Sequence, residues 1–184
     1  RLQLTVLVTL SGLPGSGTST VARAAAQELG LEHLDGGTVF RALAAERGVT
    51  LAQFAALAEA DEAIDRALDA RLAEREAEGD VLVESRLAGW LAHRGELPGL
   101  RVWLGCDEHE RARRVAGREG ADVDRALAEN QEREASERAR YLAFYDIDLT
   151  DLSIYDLVLD STHRTPDDLV AELVARARAL AAAS

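Results

Sequence analysis

Residues 11–20 read SGLPGSGTST, and the spacing of Gly12, Gly17 and Ser19 is that of a loop built to hold phosphate. Glycines there permit positive φ angles and let the main chain approach an anion closely. Successive amides and the N-terminus of the following helix would then form a cradle, drawn from Gly12, Gly15, Ser16, Gly17, Thr18, Ser19 and Thr20. Ser19, the closing hydroxyl of the pattern, is the expected ligand for Mg²⁺. One position departs from the pattern: Thr18 stands where such loops carry lysine. Its hydroxyl can hydrogen-bond a phosphate oxygen but cannot neutralise it, so the loop is expected to bind phosphate while catalysis draws its cations from elsewhere. The bland alternative is a glycine turn that binds nothing.

Lysine cannot be that source, because all 21 basic residues are arginine. In ENQEREASERARYLAFYDID, Arg133, Glu137 and Arg140 fall at i, i+4 and i+7 and share one helical face. Two arginines braced by one glutamate would suit a polyphosphate, since guanidinium forks match phosphate oxygens. The charge pattern suits an ordinary solvated helix equally well. Arg138 falls off that face and is expected in solvent or in a contact made on closure. Arg86 follows DVLVE, at the carboxyl end of an expected strand, the edge where open α/β sheets bind ligands. Arg41 lies one turn into a helix after the second glycine pair, in LDGG, where Asp35 would order the loop or cap the helix. The alternative for Arg41 and Arg86, each taken singly, is a surface ion-pair partner.

These residues need a scaffold, and the chain is patterned for one. The β-branched run Leu4–Leu10, a short strand at 32–34, DVLVE at 80–84, LRVWLGC at 100–106 and YDLVLD at 155–160 read as buried strands. Between them lie helical stretches after the phosphate loop, at 36–48, 50–78, 107–118 and 122–143, with a closing helix at 166–183. Within 50–78, Ile64, Leu68 and Leu72 form one apolar stripe. Alternating strands and helices predict an α/β fold with a parallel sheet covered on both faces. The 184 residues, 47% hydrophobic, suit a single domain without internal repeats. No apolar run approaches the roughly 20 residues of a membrane span. RLQLTVLVTL runs straight into the glycine loop without a small-residue cleavage site, so it reads as a strand rather than a secretory signal. A lone Cys106 fits a reducing cytoplasm, and a net charge of −12 argues against broad nucleic-acid binding.

Together these segments resemble the nucleoside monophosphate kinases, and most closely the archaeal-type cytidylate kinases. The likeness runs along nearly the whole chain, through SGLPGSGTSTVA, LDGGTVFRALAAERGVTLAQF, DEAIDRALDARL, VLVESRLAGWLA, REASERARY and YDIDLTDLSIYDLVLDS. ESRLAGWLA and YDIDLTDLSIYDL are the more specific motifs. The resemblance implies a three-layer fold with a five-stranded parallel sheet. Its core would span 1–34, 80–118 and 155–184, with a monophosphate-binding insertion at about 35–79 and a lid at about 118–140. It implies transfer of the γ-phosphoryl group of ATP, with Mg²⁺, to CMP or dCMP, by a cytoplasmic monomer with no nucleic-acid or membrane partner. Gly15 to Thr20 would hold the donor phosphates and Ser19 the metal. Asp35, Gly37, Arg41 and Arg86 would form the acceptor site, with Arg41 meeting the acceptor phosphate. Arg133 and Arg140 would clamp the phosphoryl group under Glu137, and Arg118 sits beside the lid hinge. Two rivals remain: a kinase for a modified cytidylate or another small monophosphate, and a nucleotide-binding regulator whose catalysis has weakened with the loss of the lysine.

Overall fold

Runs of Val and Leu with few polar interruptions form strands that are buried on both faces, as the three central ones are, while the two edge strands keep residues in contact with solvent. The computed structural model describes residues 6–184. Its strands are β1 (Leu7–Gly12), β2 (Glu32–Asp35), β3 (Val81–Glu84), β4 (Leu100–Gly105) and β5 (Leu157–Asp160). They make one parallel sheet in the order β2-β3-β1-β4-β5. Part of the expected first strand, Leu4 and Thr5, lies outside the described residues.

Seven helices connect the strands among the described residues and an eighth follows the last: α1 (Thr18–Leu29), α2 (Gly36–Glu46), α3 (Leu51–Ala60), α4 (Glu62–Glu78), α5 (Ala88–Arg94), α6 (Glu108–Glu119), α7 (Val123–Tyr145) and, after β5, α8 (Pro166–Ala182). The alternation of β1 divides the core. Val8 and Leu10 pack with α1 and α8, through Val21, Ala25, Leu169 and Leu173. Leu7 and the β3 residues Val81 and Val83 pack with α2, α4 and α5 on the other face, around Phe54 and Leu72. None of these helices is long and apolar enough to cross a membrane.

The continuous helical stretch expected over 50–78 is broken at Asp61, whose extended backbone (φ −137°, ψ 105°) ends α3 while its carboxylate caps α4 through Ala63 N at 2.9 Å. Capping satisfies an amide that the new helix would otherwise leave without a partner. The short helix α5 begins within ESRLAGWLA, which the sequence marks as a motif but not as a helix, and runs on to Arg94; at seven residues it offers too few turns for a clear period. The stripe of Ile64, Leu68 and Leu72 faces inward, as its spacing requires.

That stripe continues to Glu76, which is 1% exposed and whose two carboxylate oxygens have no hydrogen-bond partner among the described residues. Burial, helped by the nearby Asp69 charge, pushes its pKa from 4.5 up to about 8. Between those two values the unfolded chain gives up a proton that the folded protein keeps. Stability therefore falls as pH rises through this window and levels off above it. Glu76→Gln should abolish this slope and gain on the order of 3 kcal/mol over the parent at pH 8.5. Thermal unfolding at pH 5 and pH 8.5 tests this, and equal slopes in parent and variant would refute it.

Candidate active site

The carboxyl edge of the sheet gathers the chemistry. β1 ends in the glycine loop, where Gly15 and Gly17 take φ values of 85° and 92°. A Cβ on Gly15 would lie 2.7 Å from the carbonyl oxygen of Arg111, so the loop passes too close to α6 for any side chain there. Gly17 is the N-cap of α1 and supplies no side-chain cap, which leaves the first amides of the helix available to an anion. The loop closes on itself through Ser16 N donating to Leu13 O at 3.1 Å.

On one side of the loop lies a cavity of about 350 Å³. Gly12, Thr18, Ser19, Asp35, Gly37 and Arg86 line it, as does Glu137 of α7. Ser19 Oγ donates to Glu84 Oε2 at 2.7 Å, and the other Glu84 oxygen meets His33 Nε2 at 2.9 Å. Asp35 caps α2, accepting from Thr38 N at 2.8 Å and from Thr38 Oγ1 at 2.9 Å. Arg41 donates to Thr38 Oγ1 at 3.2 Å and leans toward Gly37, where a Cβ would lie 3.4 Å from its Nη1. Arg41 thus stands beside the cavity rather than in its wall.

Arg86 ties the loop to α7: Nη1 donates to Gly12 O at 2.7 Å and Nε to Glu137 Oε2 at 2.9 Å. This corrects one expectation. Glu137 does not brace Arg133 and Arg140; it holds Arg86, while Arg140 pairs with Asp65 of α4 at 3.2 Å and Arg133 is exposed without an ion pair among the described residues. Helical spacing can only weigh partners on the same helix, and here the stronger partners come from β3's carboxyl end and from α4. Arg138 is exposed, 3.7 Å from Asp148.

On the other side of the loop a cavity of about 410 Å³ is lined by Gly15, Ser16, Gly17, Thr20, Arg114 and Arg118, together with Arg164 after β5. Arg114 donates to the carbonyls of Gly15 (3.3 Å) and Ser16 (3.4 Å) and to Ser161 O (2.8 Å), held in turn by Glu110 at 3.0 Å. Arg111 is 5% exposed, pairs with Glu134 of α7 and reaches Cys106 O at 3.2 Å.

Glu84 and Asp69 line the first cavity, Arg114 lines the second and Arg111 backs the loop at Gly15; all four escaped the sequence reading. Glu84 had a signal, as a carboxylate ending a strand two residues before Arg86. Arg114 lies four residues before Arg118 and so shares its helical face. Nothing in HERARR distinguishes Arg111 from its neighbours. Among the described residues no cluster of three or more His, Cys, Asp or Glu could hold a metal. The Ser19 hydroxyl and Glu84 carboxylate are instead adjacent hard oxygens, the donor set that suits Mg²⁺ sharing its shell with water and phosphate.

Residues 8–137 match a family described as AAA domain. The chain is 47% identical over 171 residues to a cytidylate kinase of Halorubrum lacusprofundi, with 92% of this chain and 88% of that protein covered. It is 46% identical to a cytidylate kinase of Methanopyrus kandleri (90% and 89% covered) and 44% identical to one of Pyrococcus furiosus (90% and 85%). Among solved structures, a gluconokinase from Sinorhizobium meliloti superposes with a TM-score of 0.62 at 17% identity, covering 97% of this chain and 95% of that one. Shikimate kinase from Acinetobacter baumannii gives 0.64 at 14% identity, with 96% and 95% covered. Those two likenesses speak for the fold, and the sequence relatives for the lineage: the chain belongs to the cytidylate kinase family, built on the kinase fold around a phosphate-binding loop.

Proposed function

We propose that this protein transfers the γ-phosphoryl group of ATP to CMP or dCMP, giving ADP and CDP or dCDP. The observation that carries the reading is the glycine loop standing between two cavities, with the open N-terminus of α1 between them. Donor phosphates would lie on the amides of Gly15 to Thr20, with the rest of ATP in the cavity of Arg114, Arg118 and Arg164. The acceptor would occupy the cavity of Asp35, Gly37 and Arg86, with Arg86 and Arg41 toward its phosphate. Ser19 and Glu84 would hold Mg²⁺, which neutralises charge on the phosphate oxygens when bound.

Phosphoryl transfer through a loose transition state asks for alignment and charge stabilisation rather than a protein nucleophile. Thr18 can donate one hydrogen bond to this end, and the missing ammonium is offset by guanidinium groups on both flanks of the loop. Arg133 and Arg140 would add theirs as α6 and α7 close over the site, which also excludes water and limits wasteful ATP hydrolysis. For Arg140 closure means exchanging Asp65 for phosphate. The reading carries with it a cytoplasmic monomer, consistent with the single cysteine.

The test is ADP release in a coupled assay with ATP, Mg²⁺ and a panel of monophosphates. CMP and dCMP should dominate. Preference for AMP or GMP would overturn the choice of acceptor, and nucleotide binding without turnover would favour a regulator.

A further inference from the structure

The acceptor cavity is walled by four carboxylates, and three of them are committed to other work. Asp35 caps α2 with both oxygens. Glu84 is shared between Ser19 and His33. Glu137 Oε2 accepts from Arg86, which is tied to the loop through Gly12; its Oε1 has no hydrogen-bond partner among the described residues, but the ion pair with Arg86 offsets its charge. The fourth, Asp69, comes from α4 and is only 9% exposed. Tyr145 Oη donates to its Oδ2 at 2.7 Å, whereas Oδ1 has no hydrogen-bond partner among the described residues. Leu68, its neighbour on α4, and Tyr141, one turn beyond Glu137 on α7, line the same cavity and offer it apolar surface.

We infer that the Asp69 carboxylate reads the exocyclic amine of the acceptor's cytosine ring. The inference rests on the cytidylate kinase reading and adds to it the group that selects the base. The residue is nine-tenths buried, but its unpartnered oxygen is open to the cavity, where a ligand's donor can take the place of water. Cytosine supplies one at N4, whereas uracil presents the O4 acceptor at the same place. Facing a carboxylate, that oxygen repels where the amine attracts, so CMP is taken and UMP refused. Tyr145 fixes the carboxylate by occupying Oδ2, which leaves Oδ1 for the base. Burial raises the Asp69 pKa to about 6, against the Tyr145 hydrogen bond, which lowers it; the group therefore remains an acceptor at neutral pH.

The experiment compares kcat/KM for CMP, UMP and the 4-deamino analogue of CMP, in which hydrogen replaces the amine, in the parent and in Asp69→Asn. The parent should prefer CMP to both by roughly 10- to 100-fold, the range of a hydrogen bond to a charged group. In Asp69→Asn the amide can donate to O4, so the UMP-to-CMP ratio should rise at least about 10-fold while KM for ATP stays put. A merely structural Asp69 would depress all acceptors alike, and that outcome overturns the inference. If the variant fails to fold, the parent still decides, because equal use of CMP and its deamino analogue refutes a role for the amine. A parent that phosphorylates none of the three overturns the cytidylate kinase reading itself, and this inference with it. A parent active on CMP with no shift in the variant sinks only the role of Asp69.

Discussion

Arg86→Ala should lower kcat for CMP phosphorylation by about a thousandfold, the low end of what an arginine contributes to phosphoryl transfer. Among the described residues Arg86 is the one guanidinium in the wall of the cavity proposed for the acceptor, and its Nη1 bond to Gly12 O fixes it against the loop that would carry the donor phosphates. Removing it takes charge from the side of the loop where Thr18 has already forgone a lysine. It also leaves Glu137, whose side chain is only 13% exposed, without its partner. An uncompensated half-buried carboxylate destabilises the fold and repels incoming phosphate. The two consequences separate in the double variant Arg86→Ala/Glu137→Gln, which should recover thermal stability but not turnover. Steady-state kinetics and thermal melts on the three proteins check this. If turnover falls less than about tenfold in the single variant, the phosphate is held by other arginines.

Gly15→Ala should cost at least about 100-fold in kcat/KM for ATP. An alanine there must adopt a φ of 85°, which L-residues avoid at a cost of about 1–2 kcal/mol. Its Cβ would also meet the Arg111 carbonyl oxygen at 2.7 Å and the Arg111 Cα at 3.0 Å. Both are main-chain atoms of α6, and Arg111 is anchored by its pair with Glu134, so the helix cannot give way cheaply. The loop must move instead, and amides that bind an anion by close approach lose their geometry with small displacements. Gly120, also at positive φ but with open space for at least 4 Å around the position a Cβ would take, is the control. Gly120→Ala carries the backbone cost without the collision and should leave ATP binding nearly unchanged. Nucleotide titration of the two variants distinguishes them, and equal losses would refute the steric argument.

Much of the fold was legible in the residues because its signals are local. Strands buried on both faces announce themselves as Val- and Leu-rich runs, and helices by apolar spacing such as Ile64, Leu68 and Leu72. The phosphate loop was equally legible, since positive φ at Gly15 and Gly17 is a property of individual residues. Where the signal was short or a polar residue took a double role, it failed: α5 spans only seven residues, and Asp61 ends one helix while capping the next.

The sequence by itself determined the parallel α/β architecture, the glycine loop at the end of β1 and an arginine-only set of strong cations. Tertiary structure alone decided how those arginines are deployed. Arg86 meets Glu137 across 51 residues, Ser19 meets Glu84 across 65, and Arg114 reaches Gly15 across 99. It also decided that Asp69, one charge among many on α4, would be buried against Tyr145 in the wall of the cavity beside Arg86. The physical reason is one of range. Backbone torsions and apolar periods are set within a few residues, whereas an ion pair depends on which helix the sheet order brings over which strand end.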